Sequence, residues 1–364
     1  MATIVLLVFV IWLFTLVVVY TTRDYRYILL PYAIFLVNEA LYMLSGFDMY
    51  NAKERTQIFY DLATLPTKYL SVDDNYSEGY YPDDDYSITS KQAEDNKFAK
   101  ILEVLDAKPG DTILDFGSGT GSFEAYCHKH GIKAIGMTLS AQQVSYGMEK
   151  GADIEIIQWD YTKFNNQYKH QVDHILILGS PEHIHTGGPF QDSTYVTKNS
   201  VMAKLFEEWK AYFKQDGKPH RIFMSCLHIN PVYCKTFAYY VLERSYGGTL
   251  PKNVPELDMV SAAQSAGYET VFKRDATRDY YLASALDPNH FGNPGTLFST
   301  ASNLLFLLGF AYPIAWHMLT YNLAGIWMWM FDGNLHYAWN PNLKFEDDMT
   351  KRPCTLWWNA FEVM

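Results

Sequence analysis

A glycine-rich turn constrains this chain more than any other feature. Residues 114–123 read LDFGSGTGSF: an apolar run ending at Asp115, then Gly117, Gly119 and Gly121 at alternate positions, then a helical pattern. Glycines so spaced let the backbone leave a strand sharply and present bare peptide groups to a ligand at a helix N-terminus. Short β-rich runs recur at residues 112–116, 133–137, 154–159, 172–178, 221–227, 269–273 and 280–284, separated by stretches with helical spacing. Strands alternating with helices predict a parallel sheet covered on both faces. The expected fold is therefore α/β: a doubly wound, seven-stranded Rossmann-like sheet within residues 96–290. Ahead of it, Phe98, Ile101, Leu102 and Leu105 mark one apolar face of a helix from Ser90, ended by the KPGD turn at 108–111.

A dinucleotide would need an acidic residue about twenty positions beyond the turn to hold ribose hydroxyls. Met137 and Thr138 stand there, and no basic residue follows the glycines for a pyrophosphate. Asp115, just ahead of the glycines, suits the methionine end of S-adenosylmethionine instead. The formal net charge of −11 leaves no basic stripe for a phosphate backbone, so nucleic acid is not an expected partner. Cys127, Cys226, Cys234 and Cys354 lack CxxC spacing, and neither a metal site nor a disulfide framework is expected.

Residues 2–20 are apolar and uncharged over roughly the length that crosses a bilayer as a helix. A cleaved signal peptide would need a basic leader and a small-residue cleavage site, and neither is present. A second apolar stretch, residues 27–47, follows Arg23, Asp24 and Arg26 and is interrupted by Asn38 and Glu39. Residues 1–50 are thus expected to form a membrane anchor of one or two helices. Residues 51–95, polar and rich in Tyr and Asp, read as a connector and cap. Residues 288–331 contain no Asp, Glu, Lys or Arg. The segment 291–364 is expected to be an apolar helical lid or a membrane contact, Pro313 and His317 arguing against a simple span.

From the second strand onward the motifs resemble one family. GMTLSAQQVSYG after that strand is similar to the Thr-Leu-Ser segment of the cyclopropane fatty acid synthase family. Tyr76 and Ser77 in YSEGYY resemble that family's upstream Tyr-Ser pair, and the segment from Gln158 to Tyr161 resembles its adenine-facing one. LGSPEHI at 178–184, CLHINP at 226–231, YGGTLP at 246–251 and RDYYLAS at 278–284 continue the likeness in the family's order. The resemblance implies a class I S-adenosylmethionine-dependent methyltransferase. Tyr76, Ser77, Asp115, Gly117, Gly119, Thr138, Gln143, Trp159 and Asp160 would line the cofactor site, and Glu182, His183, His228 and Tyr280 would face a lipid substrate. It further implies a bicarbonate ion, held by the Glu, a His and the Tyr, which removes a proton so that a ring can close. With the anchor, the implied setting is an integral membrane protein whose catalytic domain faces the cytosol or the mitochondrial matrix.

Departures from the family pattern define the competing expectation. Glu78 stands where the family commonly has Cys, Pro181 precedes Glu182, and the C-terminal segment is poor in charge, with none over residues 288–331. These would suit a retired methyltransferase fold serving as a structural subunit of a membrane protein complex. Without the resemblance, Glu182 reads equally as a loop cap, and His183, His228, Trp159 and Tyr280 as core or anchoring groups.

Overall fold

The computed structural model of the protein describes residues 50–70, 78–85, 87–151, 153–184, 195–229, 256–279 and 354–364. The expected anchor, Tyr76, Ser77, Tyr280 and the charge-poor segment lie outside the described residues. Among the described residues no helix is long and apolar enough to cross a membrane.

Thirteen described elements build the fold: α1 (Ala52–Leu70), α2 (Ser90–Leu105), β1 (Thr112–Phe116), α3 (Ser122–Lys129), β2 (Lys133–Thr138), α4 (Ala141–Glu149), β3 (Glu155–Gln158), β4 (His174–Leu178), α5 (Tyr195–Trp209), β5 (His220–Ile229), α6 (Glu256–Ser265), β6 (Glu269–Asp275) and β7 (Cys354–Val363). The strands form one seven-stranded sheet in the order β3-β2-β1-β4-β5-β7-β6. β1 to β5 are mutually parallel, and β7 runs antiparallel to both β5 and β6. The chain winds outward from β1 in one direction and then from β4 in the other. The gap between their carboxyl ends is therefore the switch point at which open α/β sheets bind ligands.

Each face of the sheet carries its own core. Phe98, Ile101 and Leu105 of α2 and Phe123 and Cys127 of α3 pack on one face, against Leu176, Phe223 and Trp358. Met202, Phe206 and Trp209 of α5 and Met259, Ala262 and Ala263 of α6 pack on the other, against Ile175, Ile177, Ile222 and Phe361. Each fully buried side chain of this size stabilises the fold by about 1.5–3 kcal/mol. The helix expected from Ser90 is present with a complete capping box: the Thr89 hydroxyl accepts from the Gln92 N–H, and the Gln92 side chain accepts from the Thr89 N–H. Asp106, in the left-handed conformation, closes it.

Two expectations are corrected. The strand expected at 280–284 lies outside the described residues; among the described ones the sheet takes its seventh strand from β7, inside the segment expected to be a helical lid. The sheet is consequently mixed rather than parallel. In β7 the side chains of Leu356, Trp358 and Ala360 enter the first core and Phe361 and Val363 the second. A strand buried on both faces carries apolar residues at consecutive positions, here 356–358 and 360–361, so it lacks the alternation that advertises a strand. The stretch read as a connector also opens with a helix, the 19-residue α1. Asn51 and Glu54 exchange backbone-to-side-chain hydrogen bonds of 3.0 Å at its start.

Candidate active site

The residues singled out in the sequence gather at the carboxyl edge of the parallel strands. Asp115 is on β1 and the glycine turn follows it. Thr138 ends β2, Trp159 and Asp160 follow β3, Glu182 and His183 follow β4, and His228 is near the end of β5. The fold thus brings the ten described candidates into one arc about the β1–β4 switch point, with Gln143 in the first turn of α4 and Asp160 at its outer end.

The turn has the backbone it needs. Gly117, Gly119 and Gly121 all have positive φ, at 89°, 58° and 80°. A Cβ at Gly117 would also come within 2.6 Å of the Ser180 Cβ and Oγ, so the position excludes any side chain twice over. Ser180 earns its proximity by two contacts: its hydroxyl donates to the Phe116 carbonyl at 2.8 Å, and its own carbonyl accepts from the Tyr161 hydroxyl at 3.0 Å. Beneath the turn, Asp115 and Glu124 are 2 % exposed. Ser118 Oγ has no hydrogen-bond partner among the described residues, and the buried Asp115 and Glu124 carboxyl groups share a hydrogen bond with one another. Burial pushes the Asp115 carboxyl up to about 7, with the Glu124 hydrogen bond and then the Lys97 charge opposing; burial, with the Asp115 charge adding to it, raises Glu124 well above the usual carboxylate range. Buried carboxyl groups and a hydroxyl at a bare glycine turn fit a ligand that brings N–H donors, such as an amino-acid ammonium group.

The second rim is tied together internally. The Thr138 hydroxyl donates to Gln143 Oε1 at 2.5 Å and accepts from the Ser140 N–H at 3.2 Å, and the Gln143 N–H caps onto Ser140 Oγ at 3.1 Å. Thr138 and Gln143 therefore shape the wall through each other. The Trp159 indole donates to the Lys163 carbonyl at 2.8 Å, which fixes the ring at the mouth. Asp160 accepts from the Thr162 hydroxyl at 2.6 Å and pairs with Lys53 at 2.9 Å. Burial would raise its pKa, but Thr162 and Lys53 outweigh that and hold the carboxyl below its usual range.

Glu182 and His183 sit on a single turn of 3-10 helix, Pro181–His183. Pro181 occupies the first position of that turn, where a missing N–H costs nothing and a fixed φ helps, so this departure from the family pattern builds the turn rather than disrupting it. Glu182 and His228 are both buried. The tie from the Gly179 N–H to the Ser225 carbonyl, 3.0 Å long, holds the approach to the turn against β5.

Glu78 also departs from the family pattern, and its side chain is fully engaged. It is 3 % exposed, and its Oε1 accepts from the Ser225 hydroxyl at 2.9 Å and the Trp358 indole at 2.6 Å. Lys97, fully buried, supplies the compensating charge; its own pKa is lowered by burial, against the pull of Glu78, Glu94 and Asp115. Sequence reasoning missed this buried network although it left a trace. Glu94 and Lys97 lie one turn before Phe98 and Ile101, on the apolar stripe of α2, where charges require buried partners.

A family model for mycolic acid cyclopropane synthetase matches residues 48–282, well over half of the chain. The chain belongs to this family. Within it, the cyclopropane-fatty-acyl-phospholipid synthase of Escherichia coli K12 is 32% identical over 162 residues, covering 42% of this chain and 40% of that one. Sphingolipid C9-methyltransferase A of Emericella nidulans is 38% identical over 73 residues, 20% of this chain and 14% of that one. The chain thus spans less than half the length of these curated relatives. The solved structure of mycolic acid cyclopropane synthase CmaA1 complexed with SAH and CTAB shares the fold, with a TM-score of 0.54 at 15% identity over 85% of this chain and 98% of that one.

Proposed function

We propose that this member of the family is a membrane-anchored, S-adenosylmethionine-dependent methyltransferase acting on a carbon–carbon double bond of a lipid acyl or sphingoid chain. The observation that carries the reading is the glycine turn at the switch point, with the buried Asp115 carboxyl and the unanswered Ser118 Oγ beneath it. When bound, S-adenosylmethionine supplies an electrophilic methyl group.

The chain's own residues do the rest. Asp115, Ser118 and the turn amides hold the amino-acid end, while Trp159 and Asp160 border the adenosine side. Glu182 and His228, desolvated at neighbouring strand ends, face the lipid chain, and one of them accepts the proton that the methylated chain must lose. Tyr280 lies outside the described residues and joins this set by resemblance; a bicarbonate ion, if one is used, would lie among these three. Aromatic rings at the rim, Tyr60, Tyr161 and Trp159 among them, suit a transient positive charge and keep competing water out. The apolar stretches 2–20 and 27–47 support an anchor that holds the domain beside its substrate, with the active face on the side where S-adenosylmethionine is made.

The test is calorimetry of S-adenosylmethionine on the full chain in detergent, followed by incubation with unsaturated phospholipid or sphingolipid vesicles and mass analysis of the lipid. Binding that disappears in Gly119→Asp, with lipid gaining one methylene or methyl unit, is the expected result. A well-folded wild type that binds no cofactor would overturn the reading.

A further inference from the structure

α1 reaches the candidate site at three points. Its Lys53 pairs with Asp160 at 2.9 Å. Its Asp61 accepts from the Ser140 hydroxyl at 2.5 Å and from the Gln142 N–H at 3.2 Å, which pins it to the start of the helix that carries Gln143. Between these, the Tyr60 hydroxyl lies 2.8 Å from Nε2 of His183, and the two rings meet edge to face with centroids 5.5 Å apart. Lys53 and Tyr60 are seven residues apart, two helical turns, so both fall on the face turned to the site.

Tyr60 is held where it is. Thr64 donates its hydroxyl to the Tyr60 carbonyl at 2.6 Å, Phe59 meets the Tyr60 ring edge-on at 5.1 Å, and the ties through Lys53 and Asp61 fix the helix on either side. A phenol O–H is a stronger donor than a neutral imidazole N–H. The favoured arrangement is therefore Tyr60 Oη–H donating to Nε2, and a neutral ring whose Nε2 accepts must carry its proton on Nδ1.

Resting on the function proposed above, we propose that Tyr60 is a positioning residue that sets the tautomer and ring orientation of His183, so that His183 presents Nδ1–H to the site as a hydrogen-bond donor. The proton released by the methylated chain then goes to Glu182 or His228, because the one basic nitrogen of His183 is already occupied. A ring held in one tautomer by a helix pinned at three points needs no reorganisation when substrate arrives.

The experiment is Tyr60→Phe in the full chain, read by nitrogen NMR of histidine-labelled protein with His183→Gln identifying the signal, and by kinetics where turnover is measurable. The expected spectrum of the wild type shows His183 protonated at Nδ1 and unprotonated at Nε2. Tyr60→Phe removes that preference, lowers kcat about tenfold with the lipid KM within about twofold, and leaves S-adenosylmethionine affinity and melting temperature near those of the wild type. Lys53→Met, which loosens α1 without touching His183, is expected to keep the wild-type signal. A wild-type His183 protonated at Nε2, or a signal that Tyr60→Phe does not move, overturns the proposal. Because the spectrum reads the tautomer without turnover, an inactive but correctly tautomerised protein would overturn the functional reading and leave this one standing.

Discussion

Buried charge is the residue-scale signature of this protein. Glu78, Lys97, Asp115 and Glu124 are all buried; Glu78 and Asp115 offset part of the cost of burying Lys97, whereas Asp115 adds to that of Glu124. Glu78→Ala would leave Lys97 short of a counter-charge and the Trp358 indole without an acceptor. We expect a loss of about 3 kcal/mol by denaturant unfolding, and a smaller loss for Glu78→Gln, which keeps an acceptor oxygen. The titrations of Asp115 and His174 act on stability with opposite signs. Asp115 is raised from 3.8 to about 7 by burial, so between those values the folded state holds a proton that the unfolded state has lost, and stability falls as pH rises. His174 is lowered from 6.5 to about 4, burial outweighing Asp111, so in that window the unfolded state holds the extra proton and stability rises with pH. The two contributions oppose each other from about pH 4 to 6.5. Melting temperatures of Asp115→Asn should therefore climb with pH across that window, and those of His174→Gln should fall; parallel profiles for the two variants would contradict this account. The charged residues on the apolar stripe of α2 were visible in the sequence, but which carboxylates surround Lys97 depends on β5 and β7 converging from far along the chain.

At the scale of elements, legibility followed periodicity. α2, β1, the glycine turn and β2 were readable because apolar spacing, a capping box and alternate glycines all act locally. α1 was passed over although Asn51 and Glu54 are spaced as a capping pair, since Tyr, Asp and Lys dominate the stretch and its apolar cluster is as small as Phe59 and Leu62 with their neighbours. β7 was misread for a different reason: its apolar residues at 356–358 and 360–361 give no clean alternation, and residues 288–331, earlier in the same C-terminal segment, are charge-free and point toward helix or membrane. Its partners settle the matter, since Trp358 stands opposite Ser225 on one side and Arg274 on the other. Trp358 is fully buried, and Trp358→Ala should cost about 4 kcal/mol by combining a large cavity with the loss of the Glu78 bond. Chemical unfolding checks it, and a loss under about 1 kcal/mol would mean that β7 contributes little to the sheet.

For the whole molecule, the site was legible as a set of motifs but not as a geometry. The glycine turn, Glu182, His183 and His228 were found from their spacing and family likeness. The contributions of Tyr60, Asp61 and Lys53 come from packing α1 across the carboxyl edge, which no local pattern encodes. The proposed anchor makes a separate prediction. Deleting residues 2–47 should move the protein from the detergent-dependent to the soluble fraction in sedimentation and leave S-adenosylmethionine affinity within about threefold, since α1 and the turn are retained.

β7 also sets the order in which the protein can be built. Residues 276–353 separate β6 from β7, yet β7 lies between β5 and β6 and pairs with both. While those residues are being synthesised, β5 and β6 lack the strand that joins them among the described residues, and Glu78 and Lys97 wait for the indole that joins their network. The nascent protein must therefore carry a half-finished sheet away from the ribosome and keep its strand edges from pairing elsewhere. For a chain expected to begin with a membrane segment, that wait would be spent tethered at a bilayer surface.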